Sequence, residues 1–292
     1  MQPDDLSNPD ILISTAELEQ RLGDPALRLL DTTVLMSAKP GGGTEIRSGR
    51  AEYEAAHIPG AQFIDLITEL SDRDDPRPFM MPPEPQFIAA MSRHGIGRGT
   101  WIVACNSGPT WWSTRLFFML RAYGFDAVRV LDGGLDKWRA EGRPLTATAS
   151  PAPAVAEFVP GTRRACFVDR HAVLGAVQRG GRRLVHALSP ELFSGRAVGY
   201  GRPGRIPGSI NVPGRELLDP ATQAFLPPAA LRARLEAAGL LQGPPAITYC
   251  GGGISATTPA FALLLLGRDD AAIYDASMSE WGRDPSLPME SG

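Results

Sequence analysis

The sequence predicts an α/β protein made of two similar domains in tandem, each a small parallel sheet flanked by helices. Three observations carry this. Short β-branched runs alternate with helical ones along the 292 residues, and strands separated by helices must pair in parallel through crossovers. Three ordered motifs occur twice at offsets of about 145 residues, the mark of a duplicated unit. Each half then has the length of an ordinary domain, about 100–150 residues, enough to bury its own core.

The first pair of motifs is His57-Ile58-Pro59-Gly60-Ala61 and Arg205-Ile206-Pro207-Gly208-Ser209. In the second, Cys105 closes Trp101-Ile102-Val103-Ala104 and Cys250 closes Ala246-Ile247-Thr248-Tyr249. The third sets Asp132-Gly133-Gly134 with Trp138 against Asp275-Ala276-Ser277 with Trp281. Ser14-Thr15-Ala16-Glu17 is a capping box that opens a helix ending near Gly23. After it come a strand over Ala26–Asp31, a helix over Glu52–Ala56, a strand near Ala61–Ile64 and a helix over Pro85–His94. The strand ending at Cys105, a helix over Trp112–Tyr123 and a strand over Ala127–Leu131 complete the half. The second half repeats the pattern with strands at Arg183–Ala187, Ser209–Val212, Ala246–Cys250 and Ala272–Tyr274, and helices at Ala229–Ala238 and Ala256–Leu266. Leu145–Pro160 is rich in Ala, Pro and Thr and lacks periodicity. It separates a domain 1–148 from a domain 161–292, with 149–160 as an ordered or semi-rigid linker.

A net charge of −3 and 43% hydrophobic residues fit an ordinary globular protein, with no basic surplus for nucleic acid. The acidic start Met1-Gln2-Pro3-Asp4-Asp5 is unlike a signal peptide. The longest apolar stretch, Pro259–Gly267, falls far short of the roughly 20 residues a membrane span needs. A cytoplasmic protein with no membrane partner is expected. The three cysteines, Cys105, Cys166 and Cys250, have no Cys-x-x-Cys spacing, so neither a disulfide framework nor a metal site is indicated.

Cys250 is the candidate nucleophile. It ends a strand, and Gly251-Gly252-Gly253-Ile254-Ser255 leads from it into a helix. Glycines let consecutive N–H groups converge on one point, here expected to be the sulfur, and the helix start also favours an anion. A thiolate or a terminal persulfide is what such a loop stabilises. Cys105 reads instead as a small buried residue, because Pro109 in its loop has no N–H to offer.

These segments resemble the tandem-domain rhodanese family of thiosulfate and 3-mercaptopyruvate sulfurtransferases. The carriers are Arg50-Ala51-Glu52-Tyr53 with His57–Ala61, Asp132-Gly133-Gly134 with Trp138, Ile206-Pro207-Gly208-Ser209-Ile210-Asn211-Val212-Pro213, and the Cys250 loop. The resemblance implies a site in the cleft between the halves and sulfur transfer through a Cys250 persulfide, from a small anionic donor to cyanide or a thiol such as glutathione or a thioredoxin-like protein. It implies no metal and no organic cofactor. Gly251, Gly252, Gly253, Ile254 and Ser255 would bind the transferred sulfur, and His57 and Arg205 would serve donor binding. Leu188 and Leu192 stand where the family usually has arginines, and Ser48 where its proposed triad has an aspartate. Two other readings use the same fold. A phosphatase needs an arginine six residues after its cysteine, where Ala256 stands; a non-catalytic rhodanese-like binding or sulfur-carrier module is the other, and its binding form would need no intact nucleophile.

Overall fold

The structure, a computed structural model, describes residues 5–38 and 44–292; the acidic start at 1–4 lies outside them. The described residues divide into two units, one drawn from 10–164 with 221–224 and one from 5–9, 165–220 and 225–292.

In the first unit, β1 (Leu12–Ile13) leads into α1 (Thr15–Arg21). Ser14 Oγ accepts from Glu17 N at 3.1 Å and closes the predicted N-cap. β2 (Leu27–Asp31) is followed by β3 (Val34–Ala38) and β4 (Thr44–Ser48), then α2 (Arg50–Ala55), β5 (Gln62–Phe63), α3 (Glu84–Arg93), β6 (Trp101–Cys105), α4 (Trp111–Ala122), β7 (Val128–Leu131) and α5 (Gly134–Ala140). The sheet runs β1-β7-β6-β2-β5, every pairing parallel. β3 and β4 form a separate antiparallel pair, with Val34 opposite Ser48, that the sequence reading does not anticipate. α4 is buried from Trp112 to Ala122, its Arg115 and Arg121 included, and packs on β6 and β7. Leu29, Val103, Cys105, Leu131 and Trp138 share one core cluster. The stretch after α5 is tied to this unit: Thr146 pairs with His57, Ala156 N donates to Ser92 O at 3.1 Å, and Gly161 N to Tyr123 O at 2.8 Å.

The second unit repeats the plan. Its elements are β8 (Phe167–Val168), α6 (Arg170–Arg179), β9 (Arg183–His186), α7 (Pro190–Ser194), β10 (Ile210–Asn211), α8 (Pro228–Ala237), β11 (Ala246–Tyr249), α9 (Thr257–Leu265), β12 (Ala272–Tyr274) and α10 (Ser277–Trp281). The order β10-β9-β11-β12-β8, again all parallel, is that of the first sheet read from the other edge. The likeness extends to single bonds. Arg205 pairs with Glu290 as His57 pairs with Thr146, and Trp281 Nε1 donates to Pro288 O at 2.8 Å as Trp138 Nε1 does to Pro144 O. Residues near the start of the chain belong here: Ser7 N and Asn8 N donate to Leu265 O at 2.9 and 3.2 Å, and Asn8 Nδ2 to Leu264 O at 2.6 Å.

Candidate active site

Cys250 lies just past the carboxyl end of β11, the edge where parallel sheets carry their sites. The loop after it is held from β12 and α10. Ser277 Oγ accepts from Cys250 N at 3.0 Å and Gly253 N at 3.2 Å, and donates to Tyr274 O at 2.7 Å. Met278 N donates to Cys250 O at 3.0 Å, while Ser279 donates to Gly251 O through N at 2.8 Å and Oγ at 2.6 Å. Gly253 turns the chain with φ +72°, a value open to glycine at little cost.

This anchoring leaves several donors over. Among the described residues, the backbone N–H groups of Gly251, Gly252, Ile254, Ser255 and Ala256 bond to no protein acceptor. Nor does any of them bond Cys250 Sγ itself, contrary to the expectation that they converge on the thiol sulfur. They remain available to an atom attached to that sulfur. Cys250 is 2% exposed, so unmet donors there sit in a poorly solvated site, where an anion gains most from them.

A small cleft beside the loop is lined by His186, Leu188, Leu192, Tyr200, Arg202 and Met278, among others. Burial, aided by the Arg205 charge, lowers the His186 pKa to about 4 against a bond to Leu188 that raises it, so the ring is neutral near pH 7. Arg202 spends its guanidinium on the carbonyls of Trp281, Gly282, Asp284 and Leu287. Arg205, expected to bind donor, is likewise committed: it donates to Phe193 O, Gly292 O and Glu290 Oε1, and lies over the Phe193 ring at 4.3 Å. These bonds fasten residues 290–292, and the buried Nε of Arg205 is left without a partner among the described residues. Arg196 is an exposed neighbour of Glu191.

His57, the other expected donor-binding residue, is 1% exposed inside the first unit. It stacks on Tyr53 with centroids 4.1 Å apart, its Nδ1 lies 2.7 Å from Tyr53 O, and Nε2 has no partner. Ser48, at the triad's aspartate position, bonds Asp65 Oδ2 at 3.0 Å.

The two cysteines are not equivalent. Met278 N bonds Cys250 O, whereas Leu135 N bonds Asn106 O at 2.9 Å; counted back from the paired tryptophans, Leu135 and Met278 correspond. In register, Cys105 faces Asp31 as Tyr249 faces His186. Asn106, not Cys105, therefore occupies the place of Cys250. Asn106 Nδ2 is surrounded by the carbonyls of Ser107, Gly108 and Pro109, and its Oδ1 accepts from Ser113 N and Oγ. A loop that turns carbonyls inward repels an anion. Cys105 itself is a core residue, 1% exposed, whose thiol is pushed well up by burial and then by Asp31.

Tyr200, Ser277 and Ser279 were not singled out by sequence. Ser277 had a signal, since it stands where the first half has Gly134; both adopt positive φ, +50° and +57°. Tyr200 had none: it lies in a glycine-rich stretch, and its partner Gly251 is remote in sequence.

The rhodanese-like domain model matches residues 14–141 and 182–284, so both copies of the fold are covered. The chain belongs to the rhodanese-like family. It is 31% identical to the mitochondrial thiosulfate/3-mercaptopyruvate sulfurtransferase 1 of Arabidopsis thaliana, over 98% of this chain and 79% of that one. The sulfur carrier protein TtuD of Thermus thermophilus is 30% identical over 98% of each chain. Among solved structures, SseA of Escherichia coli, a 3-mercaptopyruvate sulfotransferase, superposes with a TM-score of 0.80 at 28% identity, covering 91% of this chain and 98% of its own. Within this rhodanese, no described helix is long and apolar enough to cross a membrane, and no described cluster of His, Cys, Asp and Glu could hold a metal ion.

Proposed function

We propose that this rhodanese is a sulfurtransferase of the thiosulfate/3-mercaptopyruvate type with Cys250 as nucleophile. The observation that carries the reading is the set of unbonded amides beside a buried thiol at a strand end. The Cys250 thiolate attacks the outer sulfur of the donor; a new S–S bond forms, and the bond from that sulfur to the rest of the donor breaks with its electron pair. The terminal persulfide anion is then held by N–H groups of Gly251, Gly252, Ile254 and Ser255. An acceptor, cyanide or a thiol such as glutathione or a thioredoxin-like protein in a reducing cytoplasm, attacks the terminal sulfur and returns Cys250 as thiolate. The route needs no cofactor.

Of the two donor classes, 3-mercaptopyruvate suits the site better than thiosulfate. A dianion calls for cations, yet the loop is uncharged and Arg202 and Arg205 are committed to protein acceptors. Phosphatase chemistry lacks its arginine, because Ala256 stands there. A sulfur-carrier role, as named for the Thermus relative, shares the persulfide but not the turnover.

The test is mass spectrometry after incubation with 3-mercaptopyruvate. A gain of about 32 Da on Cys250, absent in Cys250→Ser and removed by cyanide, is expected for a persulfide. No adduct on wild-type Cys250 overturns the proposal, and an adduct that forms once without multiple turnovers favours the carrier reading.

A further inference from the structure

We propose that Tyr200 is the acid of the donor half-reaction, giving its phenolic proton to the fragment that departs when Cys250 captures the sulfur. This rests on the sulfurtransferase reading above and adds a residue and a donor preference to it.

The geometry is specific. The Tyr200 ring and hydroxyl occupy the space that a side chain on Gly251 would fill, so the phenol touches the residue next to the nucleophile. Among the described residues that hydroxyl bonds to nothing. An unpaired, half-buried O–H against a catalytic loop is unusual, since such groups ordinarily find a partner. The chain around it is fixed. Gly282 lies against Tyr200 O, Arg202 N donates to Gly282 O at 3.0 Å, and Arg202 Nη1 and Nη2 grip Leu287 O at 2.9 Å and Asp284 O at 2.6 Å. Burial, and then the charge of Cys250, hold the Tyr200 pKa up at about 12, so the proton is present throughout the neutral range.

With 3-mercaptopyruvate, attack by Cys250 Sγ⁻ on the thiol sulfur forms the S–S bond and breaks the C–S bond, whose electron pair leaves on carbon as the enolate of pyruvate. Tyr200 protonates that carbon fragment to pyruvate and becomes a phenolate. The phenolate takes the remaining S–H proton of Cys250–S–SH, which restores Tyr200 and leaves the persulfide anion among the amides. Atoms, charge and protons balance without another reactant. Thiosulfate departs as sulfite, a weakly basic anion that needs no proton. Tyr200 therefore favours donors with a basic leaving group over thiosulfate.

The experiment is single-turnover persulfide formation on the full chain, read by mass, for wild type and Tyr200→Phe with each donor. General-acid loss of about 100-fold is expected with 3-mercaptopyruvate, against a change within about threefold with thiosulfate and in discharge of loaded enzyme to cyanide. The undisturbed discharge shows that the site is folded. Equal slowing with both donors, or no slowing with 3-mercaptopyruvate, overturns the role of Tyr200. Absence of any wild-type adduct would instead overturn the sulfurtransferase reading, and it is seen before the variant is compared.

Discussion

Ser277 is the position where strain and hydrogen bonding can be separated by two substitutions. It sits at φ +50°, a left-handed conformation that costs a residue with a Cβ roughly 1–2 kcal/mol. In return its hydroxyl makes three bonds at 2.7 to 3.2 Å to Tyr274 O, Cys250 N and Gly253 N, all buried. Ser277→Ala keeps the strain and deletes the bonds, leaving the Cys250 N–H without its acceptor. At about 1 kcal/mol per bond, with 1–3 kcal/mol for a buried donor left unmet, the loss should be about 3–5 kcal/mol. Ser277→Gly deletes the same bonds but relieves φ; allowing about 0.5–1 kcal/mol for the added freedom of the unfolded chain, it should be the milder change by about 1 kcal/mol. Urea unfolding followed by tryptophan fluorescence gives both values, the fully buried Trp281 being the tryptophan that reports on this unit. A glycine variant no more stable than the alanine one would refute the strain argument.

Cys105→Ser should alter turnover less than about threefold, under ~0.7 kcal/mol of barrier, while lowering stability because a hydroxyl enters the core; steady-state assay and thermal unfolding check the two halves. Gly251→Ala should cut persulfide formation sharply with little change in secondary structure, because its methyl group meets the Tyr200 ring; unchanged adduct kinetics would contradict this. Leu188→Arg, on the cleft wall, should raise kcat/KM for 3-mercaptopyruvate, since a charge-assisted bond contributes roughly 1.5–3 kcal/mol. His186 has its pKa lowered to about 4 by burial. The unfolded chain therefore binds a proton that the folded one refuses between pH 6.5 and about 4, and stability falls as pH drops through that window, by on the order of 3 kcal/mol. His186→Gln should flatten that slope in urea titrations at stepped pH.

The duplication, the parallel sheets and the Cys250 loop were legible because each rests on local pattern. Trp101–Cys105 and Ala246–Tyr249 are largely apolar strands, and α9 is an almost wholly apolar run, as a fully buried helix tends to be. Two-residue strands such as β1 and β8 are too short to carry a period. The β3–β4 pair was obscured by the exposed, mixed composition of β4. Matching Cys105 to Cys250 by residue type set the repeat one residue out of step, an error only the hydrogen-bond register reveals. Arg205 and His57 matched each other correctly, as their bridges to Glu290 and Thr146 show, yet their side chains differ in surroundings, His57 stacked on Tyr53 and Arg205 bonded to carbonyls and Glu290. Whether an arginine is free depends on carbonyls far away in sequence, such as those of Gly292 and Leu287.

Ser7 and Asn8 close the far end of α9, the helix that the Cys250 loop opens. A ribosome makes these residues well before their helix, so the second unit acquires this cap from a part of the chain that has waited through the synthesis of the first unit. If the second half is expressed alone, Leu264 O and Leu265 O lose these donors and must turn to water. Its helix should fray from that end toward the loop, and native-state hydrogen exchange would register the loosening before any change in sequence near the cysteine.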